Sequence, residues 1–413
     1  MISMWPLYYS IMYLFVLGIR ISSIWNQKSK QWIEGRKNWL SKINQLPQKS
    51  EYRIWFHVAS LGEFEQARPV IEKIKDVRPG TEIILSFFSP SGYELKKDYS
   101  FASVLYLPAD LPGNAKKWLN IVQPDFAVFV KYDLWPGYLR ALSTSGIPAI
   151  LFSANWIPSK RFDSWSNPLT KNLLKKFKFI FLQRSTHLNL FRSMGFNNIG
   201  VAGDTRIDRS LKLPLEIAQR MPAVFTSLGK FDLVAGSTWP EDEDILIEVI
   251  KTLDLKVMIA PHDVSESNIN RLLKKVEGSS IRLSELSANH HDPKIVIIDS
   301  IGLLSVLYSL GQIAYIGGGF GKGIHNTLEP MAHAKPVIFG PHYHKFPEAV
   351  DMLLLKGAWS VRSAHDLLIV VNELRKPGVS ELAGSVCSHY MEENAGATSI
   401  VTDYILKSIP YIT

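Results

Sequence analysis

Glu63, Asp133 and Arg206 are the side chains in this sequence suited to moving a proton and holding a developing negative charge. Glu63 closes the turn Ser60-Leu61-Gly62-Glu63 directly after the apolar run IWFHVAS. It therefore falls at the carboxyl end of a predicted strand, where parallel sheets bind ligands. A carboxylate beside a helix N-terminus is held ionised and can accept a proton from an alcohol as that alcohol attacks. Ser60-x-x-Glu63 also fits a capping box, a purely structural use of the same carboxylate, and Gly62 tips the reading toward chemistry by permitting a tight, exposed turn. Lys131 and Asp133 end the run FAVFVKYDL before Trp135-Pro136, and strand alternation puts both on one face, as site residues or as a local ion pair. Arg206, in GDTRID after a further apolar run, reads as a phosphate contact or as the partner of Asp208.

A second group lies in the other half of the chain. From Tyr315 to Phe339 the sequence predicts a strand, a glycine loop (Gly317, Gly318, Gly319, Gly321, Gly323), a helix beginning near Asn326 and another strand. Glycine lets backbone approach closely, and the first N–H groups of a helix lack internal partners, so this stretch is an expected phosphate site. Neither G-x-G-x-x-G nor a P-loop can be laid on it. Asn326-Thr327-Leu328-Glu329 can cap the helix while Glu329 reaches a ligand hydroxyl. Ser237 and Thr238 end a strand before the helix-start signature Pro240-Glu241-Asp242-Glu243, and cap that helix or hold a phosphate. Pro261-His262 and Ile301-Gly302-Leu303 close two further units expected on the same rim. His325, His333, His342 and His344 have no carboxylate or cysteine set at ligand spacing, so no metal is expected, and Asn289-His290-His291-Asp292 reads as a polar loop.

The elements that must position these residues are short apolar strands alternating with helical segments, the pattern of parallel α/β sheets covered on both faces. The alternation runs from Arg53, pauses around Leu211–Lys230, and restarts at DLVAGS. The 413 residues suit two such domains, twin Rossmann-like lobes facing a cleft, with a helical close from about His389 to Ile409. Cys387 is the single cysteine, which excludes an internal disulfide framework. The net charge of +8 favours an acidic partner, and without a nucleic-acid signature that means an anionic membrane or a phosphorylated substrate. Met1 to Ile19 carries no formal side-chain charge and is followed by Arg20, Lys28, Lys30, Arg36 and Lys37. It reads as a retained anchor that either spans a bilayer or lies in its surface, with the body on the cytoplasmic side.

The blocks HVASLGE, LYLPADLP, DLWP, GIPAILFSA, VAGDTRID, AGSTWPEDE and GGGFGKGIHNTLEPMAHAKPVIFGPHYHKF together resemble the Kdo transferases. Members of that family move 3-deoxy-D-manno-octulosonic acid (Kdo) from CMP-Kdo onto the lipid A precursor, lipid IVA, in lipopolysaccharide synthesis. The resemblance implies a GT-B glycosyltransferase that inverts configuration, uses no metal or other cofactor, and sits on the cytoplasmic face of the inner membrane. It implies an anchor helix over 1–27, an acceptor-binding domain over 28–212, a CMP-Kdo-binding domain over 213–388 and a helical segment over 389–413. By position it makes Glu63 the catalytic base and sets Arg206 where the family has a transition-state lysine. It places CMP contacts on Pro261, His262, Ile301 to Leu303 and Asn326 to Glu329. The family's E-x-E-L-W-P stands here as Lys131-Tyr132-Asp133-Leu134-Trp135-Pro136, so Asp133 is the remaining acid; His262 replaces an arginine and Leu303 a glutamate. The competing expectations are a nucleotide-sugar epimerase of similar build and an inactive membrane-bound sugar-nucleotide binder.

Overall fold

The computed structural model describes residues 5–49, 52–155, 168–220, 225, 229–276, 280–286 and 293–409; the Asn289–Asp292 loop lies outside them. The apolar runs form two parallel sheets. The first contains β1 (Arg53–Val58), β2 (Glu82–Phe87), β3 (Ser103–Tyr106), β4 (Phe126–Val130), β5 (Ala149–Ala154), β6 (Phe179–Leu182) and β7 (Ile199–Val201), in the spatial order β3-β2-β1-β4-β5-β6-β7. β1 and β4 are buried along their whole length because helices cover both faces, which is why they read as continuous apolar runs rather than alternating ones. The second sheet contains β8 (Phe231–Thr238), β9 (Val257–Pro261), β10 (Ser280–Arg282), β11 (Ile295–Ile297), β12 (Gly311–Ile316), β13 (Val337–Phe339) and β14 (Ala358–Ser360), in the order β10-β11-β9-β8-β12-β13-β14.

Each sheet is the centre of one compact unit. The first unit runs to Asp208 and takes back the segment from Gly396; the second is Arg209–Ala395. The returning helix Ala397–Ser408 buries Ala397, Val401 and Ile405 in the same core as Phe64, Val70 and Ile71 of the helix Leu61–Val77. Asp208 fixes its start by accepting the N–H groups of Gly396 (2.5 Å) and Thr398 (2.6 Å). Asp208 is therefore a helix-capping residue rather than the partner of Arg206.

At the N-terminal side, helices Trp5–Ser22 and Gln27–Arg36 lie on the first unit. Tyr8 donates to Asp110 Oδ2 (2.7 Å), and the Arg36 guanidinium donates to the carbonyls of Leu107 and Phe88 (both 2.8 Å) while stacking over Trp32. Among the described residues no helix is long and apolar enough to cross a membrane. Leu7, Ile11, Leu14, Leu17 and Ile21 are nonetheless exposed, as are Ile24 (81%) and Trp25 (72%).

Candidate functional site

In the first sheet the strand order reverses direction at β1, between β2 and β4, and the crevice beyond the carboxyl ends of β1 and β4 is the expected ligand position. Glu63 follows β1 and Asp133 follows β4, so the topology brings these two together. Glu63 Oε2 accepts the N–H groups of Ala59 (2.6 Å) and Ser60 (2.9 Å), so the carboxylate does cap the helix. Both bonds fall on one oxygen, and Oε1 receives none from the described residues. Burial and then the negative charge of Asp133 raise the Glu63 pKa, opposed by Lys131 and the two N–H groups; the net direction is up. A carboxylate raised in this way is, once ionised, a stronger base. Gly62 does not owe its place to the turn: its φ is not positive, it is already helical, and an added Cβ would meet nothing nearer than Ser60 Oγ at 3.9 Å.

Lys131 and Asp133 do not share a strand face as the alternation predicts. β4 ends at Val130, and Lys131 takes a left-handed conformation (φ 59°) that turns the chain. Asp133 is directed instead at His57, its Oδ2 lying 2.6 Å from Nε2. The Ser86 hydroxyl accepts the Trp55 indole N–H (2.8 Å), donates to the Phe56 carbonyl (3.4 Å) and lies 2.8 Å from His57 Nδ1. The Trp135 indole N–H donates to the same His57 nitrogen, Nε2 (3.0 Å), that faces Asp133. His57 is wholly buried and escaped the sequence reading, although its place inside the first strand block marked it.

Arg206 pairs with Asp204, its Nε at 3.0 to 3.1 Å from both carboxylate oxygens and Nη2 at 2.6 Å from Oδ2. Gln183 donates to the same Oδ2 (2.7 Å). Burial alone would raise the Asp204 pKa, but Arg206 and, more weakly, Lys131 hold it below the ordinary range. Lys131 thus acts electrostatically on both Glu63 and Asp204.

The second sheet reverses at β8, between β9 and β12. Ser237 and Thr238 end β8, Pro261 and His262 end β9, Ile301–Leu303 follow β11, and the glycine loop with Asn326–Glu329 follows β12, so all of these share the carboxyl edge of one sheet. The Thr238 hydroxyl is buried and donates to Glu243, inside the unit rather than toward a ligand. The glycines serve close approach: a Cβ on Gly317 would lie 2.2 Å from the Ser237 carbonyl, and one on Gly319 2.6 Å from Gly340. Their N–H groups are largely taken internally, Gly317 by Gly236, Gly318 by Asp242, and Gly321 and Gly323 by the Gly318 carbonyl. Asp242 also accepts the Trp239 N–H (2.9 Å) and the Tyr315 hydroxyl (2.8 Å), fixing loop and helix start together. The helix expected near Asn326 is a single turn, Leu328–Ala332, too short to concentrate much positive potential. Asn326 accepts the Leu328 N–H (3.2 Å) and donates to Glu329 Oε1 (3.0 Å).

Trp239, His262 and His325 form an aromatic cluster, with ring centroids 4.6 Å apart for the first pair and 4.7 Å for the second. The Trp239 indole donates to His325 Nε2 (3.2 Å), and burial with the neighbouring His262 lowers the His325 pKa to about 4. His342 Nδ1 lies 2.8 Å from the Gly321 carbonyl. Among the described residues no group of three or more histidine, cysteine, aspartate or glutamate side chains is placed to hold a metal ion.

Two parallel α/β units, each with polar groups gathered where its strand order reverses, define the α/β class to which GT-B glycosyltransferases belong. A solved kitacinnamycin glycotransferase has this fold (TM-score 0.55, 14% identity, 88% of this chain and all of that one). So does a putative UDP-N-acetylglucosamine 2-epimerase from Listeria monocytogenes (TM-score 0.58, 10% identity, 86% and 95%). Fold alone does not separate these chemistries. Sequence does: residues 33–209 match the family model described as 3-deoxy-D-manno-octulosonic-acid transferase (kdotransferase). Across 378 residues, 87% of each chain, this sequence is 28% identical to the 3-deoxy-D-manno-octulosonic acid transferase of Haemophilus influenzae. Along most of its length the chain is thus similar to Kdo transferases.

Proposed function

We propose that this protein transfers Kdo from CMP-Kdo to the lipid A precursor, with inversion and without a metal, at the cytoplasmic face of the inner membrane. The observation that carries the reading is Glu63: a raised, half-buried carboxylate with one oxygen anchored, beyond β1 in the segment that matches the family. In the proposed step an acceptor sugar hydroxyl loses its proton to Glu63 as its oxygen bonds to the anomeric carbon of Kdo. The bond from that carbon to the phosphate oxygen breaks, and CMP leaves with the electron pair. Arg206 and Lys131 supply positive charge to the first unit's site, and positive charge at the departing phosphate is the largest single aid such a reaction can be given. Asp133, held by His57, keeps Glu63 from being stabilised too far as the anion.

The exposed apolar side chains of Trp5–Ser22, with Arg20 in its last turn and Lys28 and Lys30 beyond it, suit a helix lying in an anionic membrane surface, where an acylated and phosphorylated acceptor is found. The test is transfer from CMP-Kdo to lipid IVA by the purified full chain with chelator present, with products resolved by mass. One or more added Kdo residues is the expected result. Donor binding without any product would sink the transferase reading in favour of an inactive binder.

A further inference from the structure

The N-terminal helices border a pocket of about 480 Å³ on the first unit, within the range of small-ligand sites. One wall is Val16 and Arg20 of the helix Trp5–Ser22, another is Trp32, Ile33, Arg36 and Lys37, and the segment after β3 closes it from Pro108 onward. The strand order sets it beyond β3, two strands from β1 and Glu63, so it lies beside the catalytic crevice. Three cations line this pocket and, among the described residues, no carboxylate does. Arg20 and Lys37 are exposed, and their side chains form no ion pair or hydrogen bond with the described residues. Arg36 is fixed by the carbonyls of Leu107, Phe88 and Trp32, none of which carries a compensating charge. Burial lowers its pKa to about 9, so it stays protonated at neutral pH. A cation drawn out of water without a counter-ion is costly, and an anion in the pocket would offset all three.

Trp32 and Trp39, with Val16 and Ile33, surround that anion with apolar groups, and the exposed apolar side chains of Trp5–Ser22 extend from the same wall. Cations set among tryptophan and aliphatic side chains suit a phosphate carried by an apolar molecule. We infer that this pocket seats the phosphate of an anionic bilayer phospholipid, held by Arg20 and Lys37 beside the fixed charge of Arg36, which pins the N-terminal helices at headgroup level. The site serves the surrounding membrane and is separate from donor and acceptor. The inference rests on the membrane placement proposed above.

The experiment is sedimentation of the full chain with vesicles of phosphatidylcholine, alone and mixed with phosphatidylglycerol, with melting curves as a folding control. The pair Arg20→Gln and Lys37→Gln is compared with the pair Lys28→Gln and Lys30→Gln, which removes the same charge from exposed positions outside the pocket. Wild type should bind the mixed vesicles more tightly. A hydrogen bond to a charged group is worth about tenfold to a hundredfold, so the pocket pair should lose at least about tenfold more of the phosphatidylglycerol-dependent affinity than the control pair. Equal losses in the two pairs would show a diffuse attraction to basic surface and overturn the inference. A raised KM for lipid IVA in phospholipid-free micelles, in the pocket pair alone, would give the pocket to the acceptor's own phosphates and overturn it as well. Wild type indifferent to phosphatidylglycerol would remove the site and the membrane placement together. The vesicle comparison needs no turnover, so a failure of Kdo transfer would count against the transferase reading and not against this site.

Discussion

The His57 imidazole, wholly buried, lies 2.6 Å from the Asp133 carboxylate, and Asp133 in turn acts on Glu63. The Asp133 carboxylate thus stands between a buried ring and the proposed base.

That coupling sets a pH prediction with opposite signs for two neighbours. Activity should rise with pH as Glu63 ionises, with its inflection above that of an ordinary glutamate. Asp133→Asn removes a charge that raises the Glu63 pKa, so the inflection should move to lower pH. Lys131→Gln removes a charge that lowers it, so the inflection should move to higher pH. The profile of kcat/KM against pH checks both, and shifts in the same direction would contradict the arrangement.

Glu63→Gln should lower kcat by about a hundredfold to ten-thousandfold, the usual contribution of a general base. The substituted side-chain amide keeps an oxygen to accept the Ala59 and Ser60 N–H groups, so weakening of the cap should cost at most about 1 kcal/mol. Single-turnover rates beside CMP-Kdo titration and thermal melts separate chemistry from folding.

Gly62→Ala should raise stability by about 0.5–1 kcal/mol, because the position is helical and open. If kcat/KM falls in the same variant while the melting temperature rises, the glycine is there to let the acceptor approach Glu63. Unchanged kcat/KM would show that the glycine has no such role.

Gly317→Ala should do the reverse in the second unit, where the new methyl would meet the Ser237 backbone. Overpacking of this kind costs typically about 1–3 kcal/mol, and the affinity for CMP should fall with it. Urea unfolding and CMP titration are the measurements.

Ile24→Glu, at one of the most exposed apolar positions, should reduce sedimentation of the protein with vesicles containing anionic lipid. Raised salt should reduce it further through screening. An unchanged bound fraction would remove this segment from the membrane contact.

Much of the fold was legible because strands buried on both faces appear as uninterrupted apolar runs. The runs around β1, β4, β8 and β12 are of this kind, and parallel order follows from the helices between them. β10 and β14 were missed: each is three residues long, lies at a sheet edge, and carries polar residues. Among the candidate residues, Glu63 was found from its turn, whereas the Lys131–Asp133 geometry was misread because periodicity carries no sign of a left-handed residue. His57, Trp239 and Asp242 escaped because each matters through a partner distant in sequence, which spacing does not reveal; Asp204 was passed over because Arg206 was paired with Asp208 instead.

The Asp208 carboxylate that holds Gly396 and Thr398 joins two points of the chain separated by the entire second unit. During translation the helix Ala397–Ser408 leaves the ribosome only after that unit has been made. The first sheet must therefore wait, with the face over Phe64, Val70 and Ile71 uncovered, while some 190 residues are synthesised. The nascent chain would expose apolar surface for longer than one built from two sequential domains.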